Sequence, residues 1–91
     1  MRVLFDSQSQ TGRSSKTITT GKWNFGHVNV YMEDGGVVVF EHYNETVEEW
    51  VTIQNGIIKR SVANRIMPSP GGKLTARIAA ADAPITVEWY V

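Results

Sequence analysis

The chain has 91 residues, Lys and Arg totalling 9 against 9 Asp and Glu for a formal net charge of zero, and no cysteine. The length fits one small domain. The absent thiols exclude a disulfide framework and a thiolate zinc site, and the balanced charge argues against a dedicated nucleic-acid binder, which presents a net basic face.

Hydrophobic residues make up 42% of the chain, too many for a disordered protein. No apolar run approaches the roughly 18 residues of a helical membrane span. A domain this small buries only about 60–65% of the surface its unfolded chain exposes. A partner surface that covers more apolar area would stabilise it, so self-association is an expectation from the outset.

Met1-Arg2 precedes only Val3-Leu4-Phe5, far short of the apolar core of a signal peptide. The expectation is synthesis in the cytoplasm with no export by that route. Residues 2–5 read as a short strand. Residues 6–15 (DSQSQTGRSS) are polar and contain glycine, which predicts a mobile segment. Arg13, within it, and Lys16, just beyond, are candidate contacts for a neighbouring surface. Residues 16–25 predict one bent strand or two short ones, broken at Gly21.

From there the pattern has period two, the spacing of a strand with one buried face. Val28, Val30 and Met32 alternate with Asn29 and Tyr31. Glu33-Asp34-Gly35-Gly36 then predicts a hairpin turn before Val37–His42, since glycine accepts positive φ without a Cβ clash. Asn55-Gly56 is the dipeptide favoured in a two-residue type I′ turn. It predicts antiparallel pairing of 49–54 with 57–63. Residues 68–72 (PSPGG) predict a loop.

Leu74, Ala76 and Ile78 alternate, as do Ile85, Val87, Trp89 and Val91. The alanines of 76–83 do not predict a helix, because Pro84 and the preceding alternation leave too little length for one. Seven to nine short strands with frequent turns predict a single all-β domain over 1–91. The expected architecture is a small antiparallel β-sandwich (jelly-roll or Ig-like) or a partly open barrel.

Chemical constellations are sparse. His27 and His42 lack metal-ligand spacing and read as partly exposed strand histidines. Ser14-Ser15 has no strand-turn-helix elbow to orient a nucleophile. Glu41, Glu48 and Glu49 would need a cleft to space two carboxylates and raise one pKa; the solvent face of strands is the simpler placement. Gly21, Gly26, Gly35, Gly36, Gly56, Gly71 and Gly72 read as turn positions, not a phosphate loop. Asn44-Glu45-Thr46 matches a glycosylation acceptor, which means little without a secretion signal. The expectation is no catalytic set, no metal and no cofactor.

The aromatic residues say more. Trp50 and Trp89 fall in strong strands and are expected to fill the interior. Trp23, Tyr31 and Tyr43 are the candidates for an exposed interface or ligand-stacking surface. Charge is also segregated along the chain. Residues 23–58 carry Glu33, Asp34, Glu41, Glu45, Glu48 and Glu49 and no base, whereas 59–77 carry Lys59, Arg60, Arg65, Lys73 and Arg77 and no acid. Cross-strand pairing, for example of 49–52 with 57–60, is one explanation. Oppositely charged surfaces that meet between copies are the other.

The succession GKWxFGxVxVY, GGVVVFE, EWxTIxNG, GGxLTARI and PITVEWY, spanning Gly21 to Tyr90, resembles small all-β structural proteins of tailed-phage virions. These are capsid decoration (cement) proteins and tail-associated sandwiches. The resemblance implies a structural role in the virion, in repeated copies, against a major capsid or tail protein, and carries over no catalytic residue. A second expectation, from the aromatic residues alone, is a carbohydrate-binding module that holds a glycan on Trp23, Tyr31 and Tyr43.

Overall fold

The computed structural model describes residues 1–21, 25–69 and 71–90, and they contain no helix. Nine strands follow in order: β1 (Arg2–Gln8), β2 (Gly12–Arg13), β3 (Ile18–Thr20), β4 (Phe25–Tyr31), β5 (Val37–Asn44), β6 (Glu49–Ile58), β7 (Val62–Pro68), β8 (Gly72–Ala80) and β9 (Ile85–Tyr90). All pairings are antiparallel. β1 pairs with β9, β2 and β3 both pair with β8, β4 pairs with β7, and β5 pairs with β6.

The chain is therefore one long hairpin with its tip between β5 and β6. It is rolled so that β4 also meets β9 and β5 also meets β8. The two sheets run β1-β9-β4-β7 and β2-β8-β5-β6, with β3 alongside β8. With β2 and β3 counted as one interrupted strand, this is the order of a jelly-roll sandwich.

The alternating residues face each other between the sheets. Leu4, Val28, Val30, Met67, Ile85, Val87 and Trp89 come from the first sheet; Ile18, Val38, Phe40, Ile53, Ile58, Leu74, Ala76 and Ile78 come from the second. Each large side chain buried here contributes roughly 1.5–3 kcal/mol. The Phe40 and Trp89 rings meet across the sandwich at 6.4 Å, tilted by 48°.

Four expectations are corrected. Asn55-Gly56 makes no hairpin: β6 runs through it and pairs with β5, not with β7. The register passes from Val39 opposite Ile57 to Glu41 opposite Thr52, so residues 53–56 form a bulge opposite Phe40. Asn55 takes φ 61° there. Gly56 is packed so closely that a Cβ would sit 2.6 Å from the Ile53 carbonyl oxygen and 2.9 Å from that of Phe40. Positive φ serves a bulge as well as a turn, and Ile53 and Ile58, on either side of the bulge, are both buried in the core.

With that hairpin gone, 49–52 lie against 41–44 and not against 57–60. The turn that does reverse the chain is 45–48, where Asn44 Oδ1 accepts the N–H groups of Thr46 and Val47. Gly26 is no turn residue but lies inside β4, where a Cβ would collide with the Trp89 indole. Trp50 is half-buried on the outer face of its sheet, opposite Tyr43, and is not in the core.

Candidate functional site

Two outer faces carry the candidate residues. On the second sheet, Val39, Glu41 and Tyr43 of β5 point away from the core, as do Arg77 and Thr75 of β8, because Val38, Phe40, Ala76 and Ile78 point inward. Residues 14–17, between β2 and β3, form a strap over this face. The buried Ser14 hydroxyl donates to the Leu4 carbonyl at 2.7 Å and accepts the Lys16 N–H at 3.1 Å. Ser14 N–H donates to the Ala76 carbonyl, and the buried Thr75 hydroxyl donates to the Lys16 carbonyl at 2.7 Å.

Glu41 is buried although its strand face is an outer one. Arg13 Nε lies 2.9 Å from one carboxylate oxygen and Arg77 Nε 3.3 Å from the other. The Arg13 guanidinium also stands 5.2 Å from the centre of the Trp50 ring, a cation–π distance. Trp50 in turn meets Tyr43 edge-on at 5.3 Å. Two of the expected site residues, Arg13 and Tyr43, thus join through Trp50. Every one of these contacts is spent inside the molecule, on holding the strap. Beside it, an open depression of about 410 Å³ runs between β1 and residues 10–16.

The outer face of the first sheet differs. Phe25, His27, Asn29 and Tyr31 of β4, Thr86, Glu88 and Tyr90 of β9, and Ile66 and Pro68 of β7 share it. At one end Phe25 is 58% exposed and Ile66 60%; they are diagonal neighbours, since Phe25 faces Pro68 and His27 faces Ile66. The His27 and Tyr90 rings stack at 5.6 Å and 23°. At the other end stands Tyr31, 49% exposed.

Between these ends lies a chain of hydrogen bonds. It begins at a bulge in β7, where Val28 faces Arg65 and Val30 faces Val62, one residue too many on the β7 side. Asn64 takes φ 55° in that bulge, a conformation asparagine tolerates better than most residues. Its backbone N–H is captured by Asn29 Oδ1 at 2.8 Å, and Asn29 Nδ2 donates to Glu88 Oε1 at 3.0 Å. The Tyr90 hydroxyl donates to Asn64 Oδ1 at 2.9 Å. Partial desolvation, then the charge of Glu88 and a hydrogen bond to it, raise the pKa of the Tyr31 hydroxyl above its ordinary value.

The expected site residues do not converge. Tyr31 is on the first sheet, Arg13 and Tyr43 are on the second, and Lys16 is exposed on the strap. Trp23 lies outside the described residues. Asn29, Asn64, Glu88 and Tyr90 were not singled out by the sequence. Alternation puts Asn29 with Tyr31 and Glu88 with Tyr90, but their meeting depends on strand register, and the bulge at Asn64 has no sequence mark. Among the described residues no group of His, Asp and Glu is arranged to hold a metal ion. Comparison of the chain with protein-family models, with characterised proteins and with solved structures finds no match.

Proposed function

We propose that the chain is a non-enzymatic structural protein of a phage virion, made in the host cytoplasm, which binds the capsid or tail surface as repeated copies and stabilises it. The observation that carries this reading is the pair Phe25 and Ile66, more than half exposed and diagonal neighbours on one sheet face. Large apolar side chains grouped on one face mark contact surfaces, and aromatic residues are enriched where such surfaces bind. The fold agrees by analogy only, since jelly rolls build capsid and lectin domains alike. The resemblance of the strand-and-turn pattern to virion proteins supplies the partner.

Light scattering after size-exclusion chromatography at low and high salt tests the assembly. Co-sedimentation with particles assembled from the structural genes that neighbour this one tests the partner. The expected result is an oligomer, or a monomer that sediments with the particles, and a Phe25→Ser/Ile66→Ser variant that folds but no longer does either. A strict monomer that also ignores the particles removes the proposal.

A further inference from the structure

The Tyr31 end of the first sheet has a different chemistry from the Phe25 end. We infer that Tyr31, Asn29, Asn64, Glu88 and Tyr90 form a shallow binding site for a neutral saccharide on the outer face of the β1-β9-β4-β7 sheet.

Three observations carry this. The polar groups are already fixed. Asn29, Asn64, Glu88 and Tyr90 hold one another by hydrogen bonds of 2.8–3.0 Å, so little side-chain entropy is lost when a ligand arrives. Their hydrogen-bonding capacity is also not exhausted. Asn64 Nδ2 has no partner among the described residues, and Glu88 donates nothing and keeps lone pairs beyond those given to Asn29 and Tyr31. An amide donor and a carboxylate acceptor, set on either side of Asn29 across β4, match hydroxyl groups of a sugar, each of which both gives and takes a hydrogen bond.

Aromatic surface flanks this polar centre on both sides, with Tyr31 at one end and the stacked His27 and Tyr90 at the other. Tyr31 and His27 are four residues apart on β4, about 13 Å along a strand, the length of a short oligosaccharide. Sugar rings present the same alternation, C–H faces that lie on aromatic rings and hydroxyl edges that meet amides and carboxylates. A peptide ligand added by strand pairing would be taken through the backbone of an edge strand, whereas four of these five side chains stand on β4 and β9, both interior to the sheet, and only Asn64 on the edge strand β7.

The inference does not rest on the virion assignment, which uses Phe25 and Ile66. The full-length, ¹⁵N-labelled chain is titrated with cellohexaose, maltohexaose, xylohexaose and chitohexaose, each to about 10 mM, the range in which shallow sites are read, with a sulfated heparin oligosaccharide as the charged control. At least one neutral sugar is expected to shift the signals of residues 29, 31, 64, 88 and 90. Tyr31→Ala, Glu88→Gln and Asn64→Gly are each expected to weaken that binding by roughly tenfold while the dispersed spectrum persists. Phe25→Ser is expected to leave it unchanged. The inference is overturned if no neutral sugar shifts these residues, if only the sulfated one does, or if the three variants bind like the parent.

Discussion

Arg13 Nε and Glu41 Oε1 lie 2.9 Å apart across 28 residues of sequence, and this contact closes the strap on the second sheet. Glu41 is shared with Arg77, so its carboxylate keeps two guanidinium groups of one sign beside each other. Both arginines are more than a third exposed, and solvent screens the attraction. Glu41→Ala is therefore expected to cost about 1–2 kcal/mol in urea unfolding and to speed amide exchange of residues 12–17 more than that of β9. Equal exchange in both segments would refute the strap's dependence on this pair.

Ser14 is the second fastening. Its hydroxyl donates to the Leu4 carbonyl and accepts the Lys16 N–H, and Ala would leave both groups without that partner. Ser14→Ala is expected to cost about 1–3 kcal/mol. Because Ser14 and Arg13 hold the same strap, the Ser14→Ala/Glu41→Ala double variant should lose less than the sum of the two changes. Strict additivity would show that they act separately.

Gly26 and Trp89 share one space in the core. A Cβ on Gly26 would overlap the indole, and the ring has nowhere to retreat because it is packed against Phe40. Gly26→Ala is expected to destabilise by about 1–3 kcal/mol or more, the range for overpacking. In a Trp89→Leu background the same substitution should cost markedly less. A cost independent of residue 89 would place the strain elsewhere.

The β6 bulge separates Asn55 from Gly56. Asn55 is exposed at positive φ, so Asn55→Gly should change stability by no more than about 0.5 kcal/mol. Gly56→Ala drives a methyl group into two backbone carbonyls, which cannot rotate away as a side chain would, and is expected to cost several times more. Thermal unfolding of the two variants side by side decides the point; similar melting temperatures would be incompatible with the bulge.

Tyr31 makes stability depend on alkaline pH. Its pKa is raised in the folded state, by partial desolvation first and then by Glu88. The stabilising contribution is fully present below the unfolded tyrosine value near 10. It is lost as pH rises through the higher folded value, where the phenolate meets the Glu88 carboxylate. Above about pH 10, Tyr31→Phe should flatten the fall in stability measured by urea unfolding. An unchanged pH profile would contradict the coupling.

Much of the architecture is readable from residue order, because period-two alternation states which side of each strand meets the core. Val28 and Val30, Leu74 to Ile78, and Ile85 to Trp89 are buried where their spacing puts them. The polar character of Asn29 and Tyr31 likewise assigns them to an outer face. Alternation is a local property, and it holds whatever a strand pairs with.

Pairing itself was decided only by the tertiary structure. Asn55-Gly56 satisfies a turn and a bulge equally well, and β6 pairs with β5 through a bulge at these residues. Trp50 lies in a strong strand, yet its face was set by register against Tyr43. Arg13 with Glu41, and Asn29 with Asn64 and Glu88, are contacts across 28 residues or more. Residue identity along the chain determined what each strand offers to its two sides; how the hairpin rolled up, a matter of which edges and faces bury the most together, decided which offers meet.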